Sequence, residues 1–290
     1  MIHHDQHTLV SKESGKLAFK LFKFTDLNIF SDIQRLNHYS LIWIQEGSGE
    51  IVADFNSHPY RPGQLFSFTP YQPFFVRTDI VTKGYVIHFH SDFFCIHKHH
   101  QEVACNGVLF NNIYRKPYVD VDPVTAESCQ MIIHEMSKGI EQDGMAMNEL
   151  VLSYLKLFLI HAARLSQKES SVQDRLPEEE AFVPQKLKAL IEQHYREYHR
   201  PKDYANLLHI TPKALGKIAK KYFHKSISSL IAERIIIEAK RELYLTSKTA
   251  KEVAYELGYD DEHYFSRFFK KNTSITPSTF RKTVGYARGE

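Results

Sequence analysis

Apolar positions along the chain fall into two regimes. From Leu17 to about His90 they alternate with polar residues or run unbroken over short segments, the spacing of strands whose side chains point to opposite faces in turn. LAFKLFKF, HYSLIWIQ, EIVADF, QLFSFT and GYVIHF are the predicted strands; Gly47-Ser48-Gly49, Asn56-Ser57 and Pro62-Gly63 are the predicted turns. Short strands in this number close into a sandwich or barrel, because both devices protect the edges. Tyr39, Trp43, Phe55, Phe66, Phe68, Tyr71, Phe74, Phe75 and Phe89 are expected to make its interior aromatic.

Helical spacing begins at Asp122-Pro123, an N-cap followed by proline at the first helical position. Val124, Met131, Ile132 and Met136 recur as one predicted face up to Gly139. After Asp143-Gly144, the residues Leu150, Val151, Tyr154, Leu155, Phe158, Leu159 and Ala162 form a second face, wider than one neighbouring helix needs. Packing on the strands and pairing with another copy both account for it. Ser166 to Val183 is polar, charged and contains Pro177, which predicts a flexible linker.

Beyond the linker the pattern is helical throughout. A helix is expected from Pro184 to Arg200-Pro201, with Leu187, Leu190, Ile191 and His194 along it, and a short one from Asp203 to His209 turning Ala205 and Leu208 inward. Thr211-Pro212 starts a third, which buries Leu215 and Ala219 and leaves Lys213 and Lys217 on one exposed face, with Lys220 and Lys221 following. Ser226 to Leu245 reads as one continuous helix, about 18 residues of which rise about 27 Å. Thr249 and Glu252 then form a capping-box pattern, Val253, Ala254 and Leu257 an apolar stripe, and Gly258 a stop. Asp260 or Asp261 caps the next helix, where Phe265 and Phe269 face inward and Glu262, His263, Tyr264 and Arg267 look outward, with Lys270 and Lys271 at its far end. Two short helices joined by a tight turn, twice over, are the helix-turn-helix pattern, whose second helix is built for a major groove.

Charge sharpens this division. Of 290 residues, Met1 to Val183 carry 16 Lys and Arg against 22 Asp and Glu, whereas Pro184 to Glu290 carry 21 against 12. A basic C-terminal third is the part expected to meet phosphates. Cys95, Cys105 and Cys129 are an odd count at unrelated spacings, which suits reduced thiols better than a disulfide framework. The amino-terminal stretch lacks a signal-peptide core, and the run Leu150 to Ala163 is too short to span a bilayer, so a soluble, cytoplasmic protein with no membrane contact is expected. No Ser-His-Asp, Cys-His or phosphate-loop constellation is present, and no enzyme activity or cofactor is expected.

The strings Gly258-Tyr259-Asp260, Tyr264-Phe265-Ser266-Arg267, Phe269-Lys270-Lys271, Thr276-Pro277-Ser278 and Phe280-Arg281 closely resemble the signature of the AraC/XylS family of bacterial transcription regulators. The run from Gly47 through Pro62-Gly63-Gln64-Leu65 to Pro70 resembles the cupin-like sensor domain of many members. Tyr259 departs from the usual Phe, Ser274 from the usual Gly, Gly216 and Lys217 from a polar residue and Arg, and Ala219 from an aromatic. The departures at Gly216, Lys217 and Ala219 lead us to expect weaker binding or narrower base reading by the first helix-turn-helix.

The resemblance implies a two-domain fold: an N-terminal all-β cupin-like barrel plus helices over residues 1–165 (helices about 123–165), a linker at 166–183, and an all-α, homeodomain-like double helix-turn-helix domain at 184–290, with units about 202–223 and 249–272. It also implies duplex DNA bound in adjacent major grooves, with Glu262, His263, Tyr264, Arg267, Lys213 and Lys217 facing bases and Lys220, Lys221, Lys270 and Lys271 facing phosphates. Further implied partners are a small-molecule effector inside the barrel, RNA polymerase, and a second copy of the chain held through Leu150, Tyr154, Leu155 and Phe158. Metal-binding cupins place histidines where this chain has LIWIQ and Pro70-Tyr71-Gln72-Pro73-Phe74, so no metal is expected. His88 and His90 share a strand face, and His97, His99 and His100 crowd one segment, without a Cys or carboxylate at metal spacing. Partly exposed structural histidines are the expectation. A cupin-type binding protein or metal-dependent enzyme tethered to DNA, and a regulator whose first domain only dimerises, are the alternatives.

Overall fold

The computed structural model describes residues 6–11, 15–53, 56–78, 80–96, 99, 108–142, 146–173 and 178–284. By its internal contacts the chain divides into two compact units, Met1–Asn112 with Lys116–Ser170, and Ser171–Glu290 with Ile113–Arg115.

The first unit is built from strands β1 (Gln6–Val10), β2 (Leu17–Phe24), β3 (Tyr39–Glu46), β4 (Gly49–Ala53), β5 (Asn56–Tyr60), β6 (Gln64–Phe68), β7 (Phe74–Arg77), β8 (Lys83–Phe89) and β9 (Tyr118–Asp120). Among the described residues they form a six-stranded sheet in the order β1-β2-β8-β3-β6-β9 and a three-stranded sheet in the order β5-β4-β7. Each predicted strand is present. The expected turn at Asn56-Ser57 is corrected: both residues open β5, an edge strand pairing with β4, where Pro59 is tolerated because its missing N–H faces away from the ladder.

Strand β3 is buried on both faces from Tyr39 to Ile44, so its side chains feed two cores. Ile42 and Ile44, with Phe22, Phe24, Phe66, Phe68 and Val86, meet Ile51, Ala53, Tyr60, Phe74 and Val76 of the smaller sheet. Phe68 and Phe74 stack there with centroids 4.1 Å apart. Leu41 and Trp43, with Phe19, Leu21, Leu65, Ile87 and Phe89, pack instead against the helices that follow. The expected single aromatic interior is therefore two, because consecutive residues of a strand point oppositely. Phe55 lies outside the described residues.

Helix α1 (Pro123–Glu141) starts as predicted, with the Asp122 carboxylate accepting from the Thr125 backbone N–H. Its buried face is Cys129, Ile132, Ile133, Met136 and Gly139; Val124 and Met131 are exposed, contrary to expectation. Helix α2 (Met147–Gln173) buries Val151, Leu155, Phe158, Leu159 and Ala162 in the same core. This corrects the expected pairing surface: Leu155 and Phe158 are 0% and 1% exposed and have no free surface to offer a second copy.

The division between the units, at Ser170 and Ser171, falls inside the expected linker, but the described residues of that stretch are helical. Helix α2 continues to Gln173 and helix α3 (Glu178–His194) begins well before Pro184, which lies inside it. The stretch is polar, but it contains no Gly, and its only Pro is Pro177, outside the described residues together with 174–176. Nothing before that breaks the helical ladder.

The second unit continues with α4 (Pro201–Leu207), α5 (Pro212–Phe223), α6 (Ile227–Leu245), α7 (Ala250–Glu256), α8 (Glu262–Thr273) and α9 (Pro277–Val284). Helix α6 touches α3 and α5 as well as α7, α8 and α9, and buries Leu230, Ile231, Ile235, Ala239 and Leu243. It is the beam on which both helix pairs are mounted. Helix α4 turns Tyr204 and Ala205 inward, while Leu208, expected in the core, is half-buried just past its end.

Among the described residues no helix is long and apolar enough to cross a membrane. No group of three or more His, Cys, Asp or Glu among them is placed to hold a metal. His88 and His90 are buried, 7% and 4% exposed, where partly exposed histidines were expected; His97, His100 and Cys105 lie outside the described residues.

Candidate nucleic-acid interface

Each helix pair of the second unit is set by its caps. In the first, the Thr211 hydroxyl accepts from the Ala214 N–H and Pro212 opens α5, which closes at His224 in the left-handed region. Leu215 and Ala219 are fully buried, which turns Lys213, Lys217, Lys220 and Lys221 to the exposed side. Gly216 stands on this helix with nothing near its Cβ position.

In the second pair, the Thr249–Glu252 capping box is complete, and the N–H and hydroxyl of Thr249 hold the Glu252 carboxyl below its ordinary pKa. Gly258 takes φ +78°, a conformation that favours glycine, and a Cβ there would collide with the Arg196 carbonyl oxygen. Asp261 rather than Asp260 caps α8: its carboxylate accepts from the His263 N–H at 2.7 Å, which pulls its pKa down. Phe265 and Phe269 are fully buried.

What remains outward on α8 is the expected set. His263, Tyr264, Arg267, Lys270 and Lys271 are exposed, and Glu262 is half-buried beside His263. The Arg267 guanidinium lies 6.0 Å from the Tyr264 ring, at the outer limit of a cation–π contact. Arg267 makes no ion pair among those described, which leaves a planar, bidentate donor on the first turns of a solvent-facing helix. Lys213 and Lys217 on α5 and Arg267 on α8 thus belong to two exposed helix faces carried by one rigid beam. About 28 Å of α6 lies between the pairs.

Two basic residues turn out to be structural. Arg281 of α9 donates from Nε to the Leu243 carbonyl at 3.0 Å and from Nη2 to the carbonyls of Thr246 and Lys248, satisfying the free end of α6. Lys248 bridges Glu242 and Glu256 at 2.8 and 2.6 Å. Glu238, 2% exposed on α6, carries three arginines, Arg234 and Arg241 from its own helix and Arg196 from the loop after α3.

This arrangement defines a double helix-turn-helix domain. Residues 204–283 match the family model described as a helix-turn-helix domain. An uncharacterized HTH-type transcriptional regulator of Pseudoalteromonas carrageenovora is 39% identical over 69 residues, 24% of this chain and 40% of its own. The arabinose operon regulatory protein of Escherichia coli is 35% identical over 72 residues, 25% of each chain. The HTH-type transcriptional activator Btr of Bacillus subtilis is 24% identical over 284 residues, 90% of this chain and 48% of its own. The C-terminal domain is of the AraC type, and its relatives are transcriptional regulators. The matched stretch spans less than half the length of each of these relatives.

Proposed function

We propose that the protein is a sequence-specific, duplex-DNA-binding transcription regulator in which α5 and α8 enter successive major grooves on one side of the duplex. The observation that carries this reading is the pair of exposed faces, Lys213 and Lys217 on α5 and His263, Tyr264 and Arg267 on α8, mounted on the one helix α6. Arg267 reads guanine; Lys213, Lys217, Glu262, His263 and Tyr264 complete the base-facing set. Lys220, Lys221, Lys270 and Lys271 meet phosphate, where charge adds affinity without sequence. Selection of binding sites from randomised duplexes by the full chain tests it: two enriched blocks support the reading, and recovery of unenriched duplex refutes it.

The N-terminal unit in this reading receives a small-molecule effector and joins two copies of the chain, and the DNA-bound dimer meets RNA polymerase. With Leu155 and Phe158 buried, the pairing surface is the outer side of α1 and α2. There a shallow groove of about 310 Å³ is lined by Met131, Tyr154, Leu157 and His161 among others, and Leu150 is 44% exposed. A thermal-shift screen of the full chain against metabolites tests the effector: a ligand that binds the folded state raises its melting temperature. No shift across a broad panel would favour a first domain that only dimerises.

A further inference from the structure

The two helix pairs are joined by α6, against which the helices of each pack. A second connection runs between them directly. It is the loop that leaves α3, Tyr195 to Arg200, immediately ahead of the first helix pair.

Its near end is pinned to the beam. The Arg196 guanidinium donates to Glu238 at 3.1 Å, and the same carboxylate takes Arg241 at 3.2 Å and Arg234 at 3.1 Å. Arg234 in turn reaches back to Glu192 of α3 at 2.7 Å and lies 4.0 Å over the Tyr195 ring. A carboxylate that is 2% exposed is tolerable only with such partners, and here they come from both sides of the joint.

Its far end touches the second helix pair. The Arg196 carbonyl oxygen lies against Gly258, in the turn between α7 and α8, so closely that no side chain fits. Next, the His199 ring packs on Tyr259 with centroids 4.6 Å apart. Tyr259, 7% exposed, is itself set against Tyr264, Phe265 and Phe268 of α8 at 5.9, 5.3 and 5.4 Å. His199 is two residues ahead of α4 and Tyr259 is three ahead of α8. The two reading units therefore meet where the Arg196 carbonyl and the His199 ring pack on Gly258 and Tyr259.

We propose that the loop Arg196–His199 is a bracket that fixes α8 relative to α5, so that the chain accepts one separation between its two DNA half-sites. Arg196 and His199 are positioning residues that touch no base. The proposal rests on the two-groove reading above and adds what sets the groove spacing.

The test is site selection from randomised duplexes by the full chain and by the His199→Ala and Arg196→Ala variants, reading the distribution of base pairs between the two enriched blocks. Wild type is expected to yield one separation. In His199→Ala, preference for that separation over one a base pair longer falls from about tenfold to about twofold. A protein that is merely less stable loses affinity at every separation alike, so the ratio isolates positioning from folding. Arg196, half-exposed at its side chain, supplies the second variant should His199→Ala fold poorly. Retention of the single wild-type separation by a folded variant overturns the bracket. Enrichment of only one block by wild type overturns the two-groove reading, and the bracket falls with it.

Discussion

At the residue scale, exposure separates base readers from charge carriers. Arg267 has an exposed guanidinium on the first turns of α8, whereas Lys270 and Lys271 sit in its last turn. Arg267→Ala is expected to relax preference at one base pair, a loss of about 1–3 kcal/mol of discrimination. Lys271→Ala is expected to lower affinity for all sequences and reduce the salt slope by about one. Titrations at two salt concentrations on a matched and a mismatched duplex check both; equal loss on the two duplexes for Arg267→Ala would move it to the phosphate set. A second residue-scale consequence concerns His88, which is held among Phe22 and Phe30 with its Nδ1 on the Ser40 hydroxyl at 2.9 Å. Burial, then the nearby His38 and Lys20, push its pKa down to about 3. Below the ordinary histidine value of about 6.5 the unfolded chain binds a proton that the fold refuses, so stability falls as pH drops through that range. From pH 7 to pH 5 His88 is expected to cost the first unit roughly 2 kcal/mol. The single Trp43 reports that unit alone in urea unfolding, and His88→Leu should flatten its pH dependence by that amount. An unaltered slope in the variant would contradict the assignment.

At the scale of elements, the sequence was legible wherever a local rule decides. The capping box at Thr249–Glu252, the stop at Gly258 and the N-cap Thr211 need only a few neighbouring residues, and each stands where expected. Burial was less legible, because a helix spacing does not say which side meets the sheet. Met131 and Val124 fit the period of α1 and are exposed, while Leu155 and Phe158, on the face where packing and pairing both fit the spacing, belong to the core. Leu155→Ala is accordingly expected to destabilise the first unit by roughly 2–5 kcal/mol, whereas Leu157→Asp on the outer side of α2 should leave Trp43-detected unfolding unchanged and convert a dimer to monomer in sedimentation. A dimer that survives Leu157→Asp removes this face from the pairing surface. Polar composition also misled at 166–173, where helix continues because nothing breaks it. In α5, Gly216 has open space at its Cβ and an ordinary helical backbone. Gly216→Ala should therefore stabilise the second unit by about 0.5–1 kcal/mol, seen as a higher melting temperature by circular dichroism. A lower melting temperature would mean that the glycine serves a close approach within the fold.

For the whole molecule, the interface was readable in the second unit and not in the first. The outward residues of α8 follow from two buried phenylalanines four positions apart, so Phe265 and Phe269 alone orient Glu262, His263, Tyr264 and Arg267. Neither the pairing of Arg196 with Glu238 nor its contact with Gly258 could be read locally, since these partners are 42 and 62 positions away in sequence. A binding surface inside the first unit was not legible because its aromatic residues fill two cores, and nothing in their spacing distinguishes packing from a pocket. The central claim is that one chain reads duplex DNA with two recognition helices in successive grooves on one side. Hydroxyl-radical footprinting of the full chain on its selected duplex tests this most directly. Each chain is expected to protect two patches on the same face, centred about 10–10.5 base pairs apart. Protection of a single patch per chain, or of patches on opposite faces of the duplex, would contradict it.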